Sequence, residues 1–586
     1  MLVFSLGVAV ALPCSAIASD AGIRIQALAR EMTYGTAAEH PISATYLGLP
    51  GHDAELDRRT QAQMRRDLAR IRSWKQRLSA IPLSHATLAE RDDVLLLRAR
   101  IVSAERGLTV YRVWEKDYSG PANDIVNVLF TQFQNLPVVG QAGASNREVA
   151  AAWNHIIARL SSARNYIIEG QKLVTHPGHL YGMVGVQELE GAPSFLAGAL
   201  TDTAKTQLDS TNFKRFLAAR NSTLNTIAAT VKYIKSHVAH WPENYAMGKA
   251  AYDAMLHDEQ LLPFKASDIS QMGADELGHG SAVQNWLVDE AKKRGTAIGP
   301  DTGGGMAPDG QALVGYYRDR IAELKKWMVD HNIITIPSWL GDVKVVETPK
   351  FLQPVSPGAS MQSPRTFAPE TTGFYFITPA QSLAAAAKRL DANEDFDRDR
   401  IWSTGAHEAM PGHFLQLSIA RRHPDFVRRT GDSGVFAEGW AYYGEEMFVQ
   451  LGMYGEDLDA RYYTAQWERV RGARAIVDGK LASGEWSYDK AVKFFAQNSG
   501  FTLEASKAAV AGYALGPGYV IAYTVGRLQL QNISAEYWRR MGSAGSLHDF
   551  HDRLLSYGTT PFAVVGPELL ADLHKSAAEV RATARY

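Results

Sequence analysis

Apolar side chains recur every three or four positions through much of the chain. Met64, Leu68, Ile71, Trp74, Leu78 and Ile81 are spaced this way among Arg, Asp and Gln, the stripe of an amphipathic helix seated on a core. The pattern returns at Val149, Trp153, Ile156, Leu160, Ala163 and Ile167, and again at Phe213, Phe216, Leu217, Leu224, Ile227, Val231 and Ile234. Ser267-Asp268 has the composition of a helix N-cap and predicts a helix running on to Lys292. These stripes face a core and carry no chemistry of their own. Residues 298–310 (IGPDTGGGMAPDG) are turn-rich, and a helix resumes at 311–331. Residues 345–372 are rich in Pro, Ser and Thr and lead to Gly373-Phe374-Tyr375-Phe376-Ile377, the clearest strand-like run. The expectation is a mainly α-helical molecule with one short β element. It is read as a single unit over 19–586, with approximate lobes 19–310 and 311–586.

Composition narrows the class. Of 586 residues, 46% are hydrophobic and 21% charged, which fits a globular protein and excludes a disordered or fibrous one. Lys and Arg number 61 against 62 Asp and Glu, so the net charge of -1 argues against nucleic acid or an anionic membrane surface as the main partner. The single cysteine, Cys14, excludes an internal disulfide framework and a zinc ribbon. Any metal site must therefore be built from His and carboxylate. Cys14 lies in LVFSLGVAVALPCSAIA (residues 2–18), an uncharged run ending in Ala16-Ile17-Ala18. This reads as a secretory signal peptide over 1–18, cleaved near Ala18–Ser19, and predicts a periplasmic or secreted protein. The run is short for a membrane span of about 20 residues, so no stable membrane insertion is expected after cleavage. A retained N-terminal anchor is the alternative reading. Lipidation at Cys14 is a weaker one, because Leu12-Pro13 fits poorly before a lipidated cysteine.

The chemistry concentrates further on. AHEAMPGHFLQ, from Ala406, holds His407, Glu408 and His413. A zinc hydrolase needs two imidazoles on one metal and a carboxylate that takes a proton from water. Two His four apart are about 40° off one helical face, but the six-residue spacing here turns through roughly 240° and separates them. The constellation works only if the helix is kinked or broken at Pro411-Gly412, where Pro removes a donor and Gly permits unusual backbone angles. FAEGWAYYGEE (436–446) then offers Glu438, a third ligand carried on a second helix. Glu445, two turns beyond, is placed to orient a ligand imidazole or else to face solvent. Glu446 is read as surface. LGPGYVIAYTVGRLQ supplies Tyr519 and Tyr523, four apart and able to share a helix face, from which a phenol could donate to an oxyanion. Arg474 and Arg527 follow the site and could anchor a carboxylate through the planar guanidinium fork, or else be ordinary ion-pair residues.

His407-Glu408-x-x-Pro411-Gly412-His413, Glu438-Gly439-Trp440-Ala441-x-Tyr443-x-Glu445 and Pro517-Gly518-x-x-x-x-Tyr523-x-x-Gly526 resemble the domain-of-unknown-function 885 family of bacterial proteins. Ala44-Thr45-Tyr46-Leu47-Gly48 and Phe550-His551-Asp552 extend the resemblance to nearly the whole mature chain. That family is thought to be related to helical zinc peptidases such as thermostable carboxypeptidase Taq, thimet oligopeptidase and angiotensin-converting enzyme. Dipeptidyl peptidase III is similar in tolerating an extended His spacing. The resemblance implies a two-lobed helical molecule with a deep central cleft and zinc held by His407, His413 and Glu438. It also implies Glu408 as general base, with Tyr523 or Tyr519 at the oxyanion. A short strand beside the cleft pairs with substrate backbone in those relatives, a part assigned here to Gly373, Phe374 and Tyr375. Two departures bear on substrate preference: Ala482 stands where the family often has a His, and Tyr519 follows Pro517-Gly518 where the family has Gln.

Competing motifs are weak. Glu276 and His279 are three apart but suggest no third ligand. Ser403 and Ser433 lack a Gly-x-Ser-x-Gly elbow, and the glycines at 295–305 lack the Lys-Ser/Thr of a phosphate loop. The expected activity is zinc-dependent hydrolysis of short peptides by a carboxypeptidase or oligopeptidase. Arg527 and the 373–375 strand are expected to bind the peptide. The other readings are a zinc hydrolase of a non-peptide amide or ester, and an inactive peptide-binding protein.

Overall fold

A computed structural model describes residues 19–137, 144–298, 310–349, 359–378 and 398–586. The predicted signal segment with Cys14 and nearly all of the turn-rich stretch at 298–310 lie outside the described residues. The chain is mainly helical. The three sequence stripes become helices Gln61–Ser79, Asn146–Gln171 and Ser210–His237, whose inward faces carry Trp74, Trp153 and Phe216.

Six helices position the site, labelled here α1 (Ala266–Lys293), α2 (Arg398–Glu408), α3 (His413–Ala420), α4 (Gly434–Gln450), α5 (Leu458–Ala482) and α6 (Ala522–Met541). α4 and α5 begin at side-chain caps, Ser433 accepting from the Phe436 N–H and Asp457 from the Asp459 and Ala460 N–H groups. α4 (GVFAEGWAYYGEEMFVQ) has few polar positions on any side and is buried almost all round, as a helix without a hydrophilic face must be.

The predicted strand is present and is joined by two more. β1 (Val343–Glu347), β2 (Ala359–Gln362) and β3 (Gly373–Ile377) form a sheet in the order β1-β3-β2. β3 runs parallel to β1 and antiparallel to β2. It is thus the central strand, with both backbone edges already paired. An added peptide strand would need one of those edges, so Gly373, Phe374 and Tyr375 do not have the part expected of them. Tyr375 is fully buried, edge-on to Tyr317 with ring centroids 5.6 Å apart. A Cβ at Gly373 would fall 2.6 Å from the Phe414 ring, so β3 serves as a floor under α3.

The division at residue 310 does not follow the packing. Tyr252, Leu256, Leu262 and Ile269 share one core with Leu324, Phe414, Trp440, Val525 and Leu554, and α1 packs along α5. A separate core gathers Ile125, Trp153, Leu160, Phe195 and Phe216. α1 lies in the first half of the chain yet approaches α5 of the second half closely, a Cβ at Gly273 falling 2.7 Å from Gly472 O and one at Gly280 falling 2.8 Å from Ala465 O.

Candidate metal centre

α2 stops at Glu408, and residues 409–412 turn back before α3 starts at His413. The helix is therefore interrupted outright at the Pro-Gly step. The turn's backbone is satisfied locally: Ala409 and Met410 N–H groups donate to Gly405 O at 2.9 and 3.1 Å, and Gly412 N–H donates to Ala406 O at 2.9 Å. Trp440 Nε1 from α4 donates to Pro411 O at 2.9 Å. Gly412 lies so close to the end of α2 that a Cβ there would fall 1.7 Å from His407 O, a space only glycine leaves open. The return brings the two imidazoles together at 4.8 Å between centroids, nearly perpendicular at 86°.

α4 delivers the third group. Glu438 Oε2 stands 3.2 Å from His407 Nε2 and 3.4 Å from His413 Nε2. These approaches are not aligned hydrogen bonds, because the buried Oε2 has no hydrogen-bond partner. One donor atom from each residue lies within 4.8 Å of the others. Zinc binds such atoms at about 2.0–2.2 Å, and a tetrahedron of that size has edges of about 3.3–3.6 Å. The donor set and the two measured edges fit a zinc ion. Without a metal, burial works against charge on His407, but its contacts with Glu438 and Glu445 push its pKa up to about 10. Glu438 is held well below its usual range, against its own burial, by His413 and His407.

Glu445, two turns beyond Glu438, lies 2.7 Å from His407 Nδ1. It also accepts from Ser403 Oγ at 2.9 Å and from both terminal nitrogens of Arg471, one at 3.0 Å. Burial opposes its ionisation, yet Arg471 and His407 pull its pKa down to about 2. An ionised Glu445 fixes the His407 ring and keeps Nε2 aimed at Glu438. Sequence reasoning missed Ser403 and Arg471. Ser403 was legible in principle, one turn before His407 on the same helix. Arg471 comes from α5 and carries no local signal.

The two tyrosines separate in role. Tyr519 is half exposed and lies in the turn before α6, so the expected shared helix face is absent. Its hydroxyl donates to Glu438 Oε1 at 2.6 Å, leaving Oε2 as the free ligand atom. Tyr523 sits in the first turn of α6 with its ring 5.9 Å from that of His407. Burial, then the nearby Glu438, raises its pKa and keeps the phenol protonated. α6 reaches this position because Gly439 and Gly526 let α4 and α6 touch backbone to backbone, a Cβ on Gly439 falling 2.5 Å from Gly526 C. Glu408, the last residue of α2, is half-buried, and burial raises its pKa against the pull of His413 and His407.

Arg527 is not available to substrate. Its Nε donates to Glu446 at 2.8 Å, with Glu276 at 3.2 Å and Glu468 at 3.5 Å. Glu276 accepts from Tyr442 at 2.8 Å, and His279 Nδ1 lies 2.7 Å from Glu468, so the Glu276–His279 pair belongs to this ionic knot. Glu446 is buried, not surface, because α4 has no solvent face.

The model of the family described as bacterial protein of unknown function, domain-of-unknown-function 885, matches residues 41–569. The chain belongs to this family. Among curated proteins none matches it. Two solved structures share the fold at 18% identity. One is a candidate lipoprotein of unknown function from Shewanella oneidensis, with a TM-score of 0.72, covering 94% of this chain and 100% of its own. The other is a candidate lipoprotein from Colwellia psychrerythraea, with a TM-score of 0.77, covering 96% and 100%. Among the described residues no helix is long and apolar enough to cross a membrane.

Proposed function

We propose that this member of the domain-of-unknown-function 885 family is a zinc-dependent peptidase acting on short peptides. The observation that carries the reading is the orphaned Glu438 Oε2, buried and facing two imidazole nitrogens at 3.2 and 3.4 Å. A buried carboxylate oxygen and two imidazole nitrogens at these spacings, with no aligned hydrogen bond at the oxygen, are the ligand set a zinc ion takes. A zinc ion held by His407, His413 and Glu438 would supply Lewis acidity to a substrate carbonyl and to water. Glu408 takes the proton from the attacking water and returns it to the leaving amine, a role its raised pKa suits. Tyr523 donates to the carbonyl oxygen as negative charge develops there. Tyr519 and Glu445 hold Glu438 and His407 in place. The relation to helical zinc peptidases that the motif resemblance implies is the reason for preferring a peptide over another amide. An uncharged run at residues 2–18 and two structural neighbours described as candidate lipoproteins support export to the cell envelope.

Digestion of a mixed peptide library, with and without a zinc chelator and with zinc added back, tests the proposal. Cleavage that stops with chelator and returns with zinc is the expected result. A zinc-loaded protein that leaves every peptide intact would overturn the peptidase reading. Turnover of ester or non-peptide amide substrates would then support the second hydrolase reading, and its absence the binding-protein reading.

A further inference from the structure

Arg474 lies three residues after Arg471 on α5, and the two differ in one respect. Arg471 spends its charge on Glu445. Arg474 donates Nε to Tyr513 OH at 2.9 Å and, among the described residues, has no carboxylate within 4.0 Å. Its guanidinium is enclosed by three rings, with centroids 5.4 Å away for Tyr523 and 5.7 Å for both Trp467 and Tyr513. The neighbouring charge of Arg471 repels it. The side chain is nonetheless partly open to solvent. The ring faces and phenols keep the guanidinium charged against its burial, so a charge with no carboxylate beside it is left to receive an anion.

Its position says which anion. Tyr523 is near both, its ring centroid 5.9 Å from that of His407 and 5.4 Å from the guanidinium, so the guanidinium lies within about 11 Å of the His407 ring. An extended residue spans about 3.3–3.6 Å. A carboxylate one or two residues beyond the scissile bond falls in that interval, and a planar fork binds a carboxylate through two parallel hydrogen bonds.

We propose that Arg474 binds the free C-terminal carboxylate of the peptide, so that the enzyme releases one or two residues from C-termini. This rests on the zinc-peptidase reading and assigns to Arg474 the anchoring that Arg527 cannot perform.

The test compares matched peptides with a free or an amidated C-terminus in the wild type, Arg474→Lys and Arg474→Ala, each checked for zinc content and thermal melting. The wild type is expected to prefer the free acid in kcat/KM by about a hundredfold, chiefly through KM. Arg474→Ala should bring that preference close to one, and Arg474→Lys should keep part of it. Product masses should show losses of one or two C-terminal residues. Equal cleavage of acid and amide by the wild type, or an unchanged preference in folded, zinc-bearing Arg474→Ala, would overturn the anchor and leave the peptidase reading standing. Should Arg474→Ala fail to fold, binding of an N-acetyl dipeptide acid against its amide to wild type and Arg474→Lys decides the matter. Equal binding of acid and amide would overturn the anchor.

Discussion

α4 presents Glu438 and Glu445 to one buried cluster and Tyr442 and Glu446 to another, and both clusters are made of glutamate, histidine and arginine. In the second, Arg527 sits among Glu276, Glu446 and Glu468 and supplies the cation itself. In the first, Arg471 satisfies only the outer carboxylate, Glu445, while Glu438 Oε2 faces the Nε2 atoms of His407 and His413 without an aligned hydrogen bond. Arg471 is shared between them, its guanidinium 3.8 Å from the Tyr442 ring centroid. Residue types alone therefore do not distinguish an ionic knot from a metal site. The deciding feature is whether the protein places its own cation at the centre.

That contrast can be broken from the metal side first. Gly412→Ala must push His413 away from His407, because the new Cβ has no room beside His407 O. Zinc binding is expected to weaken by about a hundredfold, the upper end of what loss of ligand orientation costs, read by competition with a chelator. Wild-type affinity in that variant would mean that the turn does not set the pair. Glu445→Gln keeps the ligands but removes the charge that orients His407, and should cost about 10–100-fold in zinc affinity by the same competition assay. Unchanged affinity would reduce Glu445 to a structural ion pair.

The ionic knot should respond in stability and not in metal. Arg527→Ala takes the guanidinium from three buried glutamates, of which Glu276 keeps Tyr442 and Glu468 keeps His279, and should lower unfolding free energy by about 3–5 kcal/mol in denaturant titration, with zinc stoichiometry unchanged. Loss of zinc together with stability would show that the two clusters are one unit. The smallest effect concerns pH. Burial first, then Glu468 and Glu276, raise Glu446 from 4.5 to about 7 against the pull of Arg527. The folded chain thus keeps a proton that the unfolded chain releases at lower pH. The contribution of this group is full below about 4.5 and is lost as pH rises through about 7. Glu446→Gln should flatten the stability profile across that window, and an unaltered slope would place the titration elsewhere.

The sequence made parts of this legible and not others, for physical reasons. The helix stripes, the break at Pro411-Gly412 and the set of His407, His413 and Glu438 rest on local spacing, and the structure brings these residues together. The central place of β3 could not be read, because strand order depends on β1 and β2, which lie in irregular sequence. The fate of Arg527 was equally hidden, since Glu276 and Glu468 come from distant helices. Glu446 was misjudged where a signal existed: a helix apolar all round has no surface position to give it.

The central claim is that His407, His413 and Glu438 hold one zinc ion that Glu408 serves as base. Zinc content and turnover measured together on the wild type and Glu408→Gln test this most directly. One zinc per chain is expected in both proteins, with turnover reduced by several orders of magnitude in Glu408→Gln. Metal-free protein that neither binds added zinc nor gains activity from it, or full turnover in Glu408→Gln, would contradict it.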